Sequence, residues 1–141
     1  YDSATVASLP LPPGSWAYDA SLEDLVPDYD PEGAKQVLAD AGYADGLDLD
    51  FYTSDSKSSM DMATVAQAEW QQIGVNINIQ TSEWGTFSEY CANGKCDIFA
   101  MSWTWYADPY FYLNYLFHSS HIGSQGNGQG GFARSRWSAD D

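Results

Sequence analysis

Trp103, Trp105, Tyr106 and Asp108 fall within six consecutive residues, three large aromatics and one carboxylate. Rings of that size offer a ligand rigid apolar walls, and a single carboxylate beside them can anchor a cationic group. No nucleophile–base pair accompanies them, so the set reads as a binding site, not a catalytic one. Pro109 follows at once, and Asp-Pro is also a helix start with the Asp as N-cap. Asp30-Pro31 repeats the pair. Asp108 is thus open to two roles, cap and ligand contact, which are compatible if one oxygen caps and the other faces a cleft.

Cys91 and Cys96 form a second candidate set, separated by four residues around Asn93-Gly94. In a secreted protein this spacing favours a disulfide closing a helix-to-strand turn. Buried thiols are one alternative. A zinc set completed by His118 and His121 is another, but that histidine spacing is shorter than the usual structural pattern, and no metal is assigned. Asp45, Asp48 and Asp50 lack calcium-loop spacing, and alternation sends Asp48 and Asp50 to the solvent face. No G-x-S-x-G elbow, Walker loop or H-E-x-x-H is present, so neither an enzyme nor a cofactor is expected.

Twenty Asp and Glu against five Lys and Arg give a formal charge of −15. A chain without a cationic patch has little to exchange for phosphate counterions, which argues against nucleic acid as a partner. It equally disfavours attraction to anionic membrane surfaces. Hydrophobic residues at 44% and aromatics at 16% of 141 residues provide for one real core,. No apolar run reaches the length of a membrane span and no signal peptide is present in the sequence, so Tyr1 is not expected to be a natural start and a piece of a longer protein is expected.

The elements that must position these residues read as α/β. Residues 1–30, rich in Pro, Ser and Asp, predict an extended arm pinned by Trp16 and Tyr18. A helix opens at Asp30-Pro31, with Ala34, Val37, Leu38 and Ala41 as its stripe, and Gly42 ends it. Alternating runs at 47–52 and 75–81 predict strands, bridged by a helix over about 55–73 with Met62, Ala66, Trp70 and Ile73 inward. A parallel crossover follows. A short helix over 82–92 buries Trp84, Phe87 and Cys91. The apolar run in 97–103 predicts a central strand buried on both faces, ending in the aromatic turn where open α/β sheets place ligands. A fourth helix follows Pro109 with Tyr112, Leu113 and Leu116, and 118–141 reads as a Gly-rich tail. One α/β unit with its core at about 31–117 results.

Several segments together resemble a family. Asp30-Pro31-Glu32-Gly33-Ala34-Lys35-Gln36-Val37-Leu38-Ala39-Asp40-Ala41-Gly42-Tyr43 is similar to the D-P-x-x-A-K-x-L-L-x-x-A-G-Y helix of the peptide/nickel-type extracytoplasmic solute-binding proteins of ABC transporters. Trp70-Gln71-Gln72-Ile73-Gly74-Val75, Ser82-Glu83-Trp84-Gly85-Thr86-Phe87 and the stretch from Ser102 to Pro109 follow in the family's order. Pro12-Pro13-Gly14-Ser15-Trp16 is similar to the segment before the first helix. The resemblance covers roughly residues 10–117. It implies one lobe, C-terminal, of a two-lobed clamp of the type II periplasmic-binding-protein fold, with a short mixed sheet flanked by helices. Its implied ligand is an oligopeptide or dipeptide, and its partners are an ABC permease and the N-terminal lobe of the same chain. The site would be extracytoplasmic, with a lipid anchor on the full-length protein. Asp108 then corresponds to the Asp that pairs with the peptide α-ammonium. An oligosaccharide-binding member and an independent secreted carbohydrate-binding module are the alternatives.

Overall fold

A computed structural model of the chain describes residues 7–102 and 108–122. The Asp30 carboxylate accepts the Gly33 N–H at 2.9 Å, and Pro31 opens the first helix, α1 (Pro31–Asp40). Gly42, at φ +93°, turns the chain out of it, and the Tyr43 N–H returns to the Leu38 carbonyl at 2.8 Å. That is a Schellman closure, which needs a residue tolerant of the left-handed region.

Strand β1 (Leu47–Ser54), helix α2 (Lys57–Gln71), strand β2 (Val75–Ser82), helix α3 (Trp84–Ala92), the two-residue strand β3 (Ile98–Phe99) and helix α4 (Pro109–Phe117) follow. The sheet order is β2-β1-β3. β1 pairs parallel with β2 from Leu47↔Val75 to Ser54↔Ser82, and parallel with β3 at Phe51↔Ile98 and Tyr52↔Phe99. Parallel neighbours cannot be joined by tight hairpins, and α2 and α3 supply the crossovers. Two glycines with positive φ meet at the amino ends of β1 and β2. Gly46 (φ +107°) precedes β1, Gly74 (φ +87°) precedes β2, and the Leu47 N–H donates to the Gly74 carbonyl at 3.0 Å.

The core is Phe51, Ala63, Val75 and Ile77, ringed by Leu38, Leu49, Ala66, Trp70, Ile73, Ile79, Ile98 and Ala100. Phe87 and Cys91 are buried from α3. Along the amino-terminal half of the strands the other face is polar. Asn76 Nδ2 donates to Asp48 at 3.0 Å, Asn78 Nδ2 to Asp50 at 2.9 Å and Gln80 Nε2 to Asp50 at 3.3 Å. These cross-strand amide–carboxylate pairs let a strongly acidic strand edge stand beside its neighbour without like charges facing each other.

The fold class is as expected, with differences in detail. The described strands are all parallel, not mixed, because every connection among them is a crossover. β1, not the apolar run at 97–103, is the central strand, flanked on both sides. Among its described residues that run yields the two-residue strand Ile98–Phe99, with the Ala100 N–H donating to the Tyr52 carbonyl at 3.2 Å and the Asp97 carboxylate accepting the Asp50 N–H at 3.1 Å. Ile98, Phe99, Ala100 and Met101 are each half-buried, with Ile98 and Ala100 packed against the core, and a short apolar run does not by itself report two covered faces,. The helix stripes are rotated in places. Val37 is 68% exposed, Trp84 50% and Met62 48%, while the neighbouring Ala63 is wholly buried. Ala63 is the position of α2 that meets the sheet, and Met62, one residue earlier, is turned about 100° away around the helix,. In the arm, Leu11 is buried while Trp16 is 84% exposed. A 3-10 helix, Ala20–Leu25, capped by Asp19, replaces part of the expected extended stretch. The Tyr29 hydroxyl reaches Glu69 of α2 at 3.3 Å.

Candidate functional site

Because the strands run parallel, their carboxyl ends share one edge of the sheet. Ser54 and Ser82 end β1 and β2 in register there, and β3 leaves the sheet toward Met101 and Ser102 at the same edge. Hydroxyls gather at this edge. Ser54 Oγ lies 2.9 Å from Ser59 Oγ, and Ser56 Oγ lies 2.8 Å from Ser59 Oγ and accepts the Ser59 N–H at 3.3 Å as N-cap of α2. Sequence reasoning passed over this cluster. Its signal was the run Ser54-Asp55-Ser56-Lys57-Ser58-Ser59 directly after an alternating strand, the composition of a capped helix start.

Asp108 is the N-cap of α4. Its Oδ1 accepts the Tyr110 N–H at 2.9 Å. The residue is exposed, and among the described residues only Oδ1 is engaged. Pro109, buried, fixes the helix entry. The capping half of the expected double role is therefore present. Trp103, Trp105 and Tyr106 lie outside the described residues. Along α4, Phe111 and Tyr115 stack with centroids 5.6 Å apart, and Tyr115 meets His121 at 4.6 Å.

His121 Nε2 lies 2.8 Å from Asn114 Oδ1, and His118 Nδ1 accepts the Ser120 N–H at 3.1 Å. Both imidazoles thus help close the end of α4. Among the described residues no group of three or more His, Cys, Asp or Glu is arranged to hold a metal ion. The sulfurs of Cys91 and Cys96 approach to 3.3 Å.

Hydrogen bonds from Thr86 and Gly85 hold the Glu83 carboxyl below the ordinary glutamate range, since an N-cap accepts best when ionised,. Burial, then the nearby Asp50 carboxylate, raises the Tyr52 phenol, which stays protonated at neutral pH. Two grooves mark the described surface, one along Asp48, Asp50, Asn76, Asn78 and Asp97 and one between α1 and the end of α2. Both lie toward the amino ends of the strands, away from the edge that leads to the aromatic segment.

The model of the bacterial extracellular solute-binding proteins, family 5 (middle region), matches residues 1–124. The chain belongs to this family. Among family 5 relatives, it is 35% identical over 128 residues to heme-binding protein A of Haemophilus influenzae, covering 86% of this chain and 23% of that protein. It is 33% identical over 110 residues to the dipeptide-binding protein of Escherichia coli, covering 74% and 20%. The structure of the ABC transporter-associated periplasmic binding protein DppA from Helicobacter pylori, in complex with the peptide STSA, superposes with a TM-score of 0.77 at 26% identity. It covers 93% of this chain and 24% of that one. The chain spans about a fifth to a quarter of the length of these three proteins. Its α/β fold is that of part of a two-lobed periplasmic binding protein. No described helix is long and apolar enough to cross a membrane.

Proposed function

We propose that this chain supplies part of one lobe of the peptide-binding receptor of an ABC importer, acting outside the cytoplasmic membrane. Asp108 anchors the ligand α-ammonium, and Trp103, Trp105 and Tyr106 form the apolar walls around the peptide. The rest of the protein contributes the facing lobe and, in the full-length form, a lipid anchor, and the loaded receptor delivers its peptide to the permease. The observation that carries this reading is Asp108 itself, an exposed carboxylate with one oxygen committed to the helix and, among the described residues, no partner on the other. Relatives named for dipeptides, and a structural neighbour holding a tetrapeptide, point to the same ligand class.

A desolvated carboxylate–ammonium pair loses on the order of 2–5 kcal/mol when one partner is truncated, much of it through faster dissociation. Calorimetry on the full-length protein with free-amine and N-acetylated di- to tetrapeptides tests the anchor. The expected result is at least about tenfold weaker binding of the acetylated peptides. Equal affinity for the two forms, or heat with oligosaccharides alone, rejects it. A second reading rests on the relative named for heme. Saturable spectral change on hemin titration, without heat from any peptide, would favour that reading instead.

A further inference from the structure

We propose that Cys91 and Cys96 close an intrachain disulfide that ties the last turn of α3 to the start of β3. The chain is folded back there by a Schellman closure of its own. Gly94, at φ +67°, lets the Lys95 N–H return to the Tyr90 carbonyl at 3.0 Å and the Gly94 N–H to the Cys91 carbonyl at 3.2 Å,. Lys95 then lays its ammonium 5.3 Å from the centre of the Tyr90 ring, a cation–π contact across the same turn,. Cys96 is the next residue, and its sulfur arrives 3.3 Å from that of Cys91. A disulfide bond is about 2.05 Å long, so closure asks for an approach of roughly 1.2 Å between the sulfurs,.

The oxidant is a low-molecular-weight disulfide of the glutathione type. Cys91 is 2% exposed and Cys96 half-buried, so the first attack falls to Cys96,. Its thiolate attacks one sulfur of the oxidant, a mixed disulfide forms, and the other half leaves as a thiol. The Cys91 thiolate then attacks Cys96 Sγ and expels the second half. Two protein thiols and one external disulfide become one protein disulfide and two external thiols. The bond would fix the point where the chain enters the strand leading to the aromatic segment at 103–107.

The test is intact mass of the chain after equilibration with oxidised glutathione, acid quench, unfolding and alkylation with N-ethylmaleimide. The expected product takes up no maleimide, weighs about 2 Da less than the dithiol form, and takes up two maleimides after reduction. Cys91→Ser should stop at the mixed disulfide on Cys96. The equilibrium constant for closure against glutathione should be at least about tenfold larger for the folded chain than in concentrated urea, because the turn presents the sulfurs to each other. Two maleimides on the equilibrated native chain, a stable glutathione adduct on it, or a reducible dimer would overturn the proposal. Equal closure constants folded and unfolded would do the same.

Discussion

The Phe51 ring meets the Trp70 indole edge to face, centroids 6.1 Å apart and planes at 72°. This contact joins the central strand to the crossover helix at the middle of the core, where Phe51 is 4% exposed. Phe51→Ala removes both the burial and the ring pairing and is expected to cost about 3–5 kcal/mol. Phe51→Leu should cost much less, since it keeps most of the volume. Urea unfolding followed by tryptophan emission measures both, and near-equal midpoints for the Ala variant and the parent would refute the placement.

Asp108→Ala and Asp108→Asn separate the two roles of that carboxylate. Loss of the cap should lower stability by about 0.5–2 kcal/mol in the Ala variant, while Asn retains the cap. Peptide affinity of the full-length protein should fall in both. Full affinity in the Asn variant would leave Asp108 as a cap only.

Glu83 gives a pH signature. Its folded carboxyl titrates below the ordinary range because Thr86 and Gly85 donate to it. A depressed acid contributes stability at pH above its unfolded value and loses it as pH falls through the folded value. Glu83→Gln should therefore be less stable than the parent at neutral pH, with the gap closing as pH falls below the ordinary glutamate range,. A gap of constant size would mean that charge is not the agent.

Gly46→Ala should destabilise by about 1–3 kcal/mol, since φ is positive there and a Cβ would stand 3.1 Å from the Gly74 carbonyl oxygen,. Gly14→Ala meets nothing within 4 Å and serves as the contrast, with little change expected. Thermal melts of the two variants decide it.

Helix starts, glycine stops and the first two strands were legible because each has a local cause. Asp30-Pro31, Gly42 and the alternation from Leu47 all act within a few residues. Which strand lies in the middle was not legible. β1 alternates Asp with Leu over its first half, the mark of a half-exposed strand, yet it carries neighbours on both sides. Alternation reports the faces of a strand, and its place in the sheet order depends on pairing with β3, some 47 residues away. At the site, the cap by Asp108 could be read from Asp-Pro. The serine run signalled a helix start, but its gathering at the carboxyl edge of the sheet comes from the strand ends beside it. The approach of the two sulfurs was foreshadowed by Asn93-Gly94, and the Lys95–Tyr90 contact that steadies it was not.

The paired glycines at the foot of β1 and β2 act as a datum edge. Both strands are counted from the same line, and eight residues later both stop together at Ser54 and Ser82. Alignment is thus settled at one end of the sheet while ligand contact is proposed at the other. Substitutions in the loops beyond the two serines can alter what is recognised without letting the strands slide. The converse should also hold: damage at the glycines would reach the recognition end as a misalignment, with no residue there having changed.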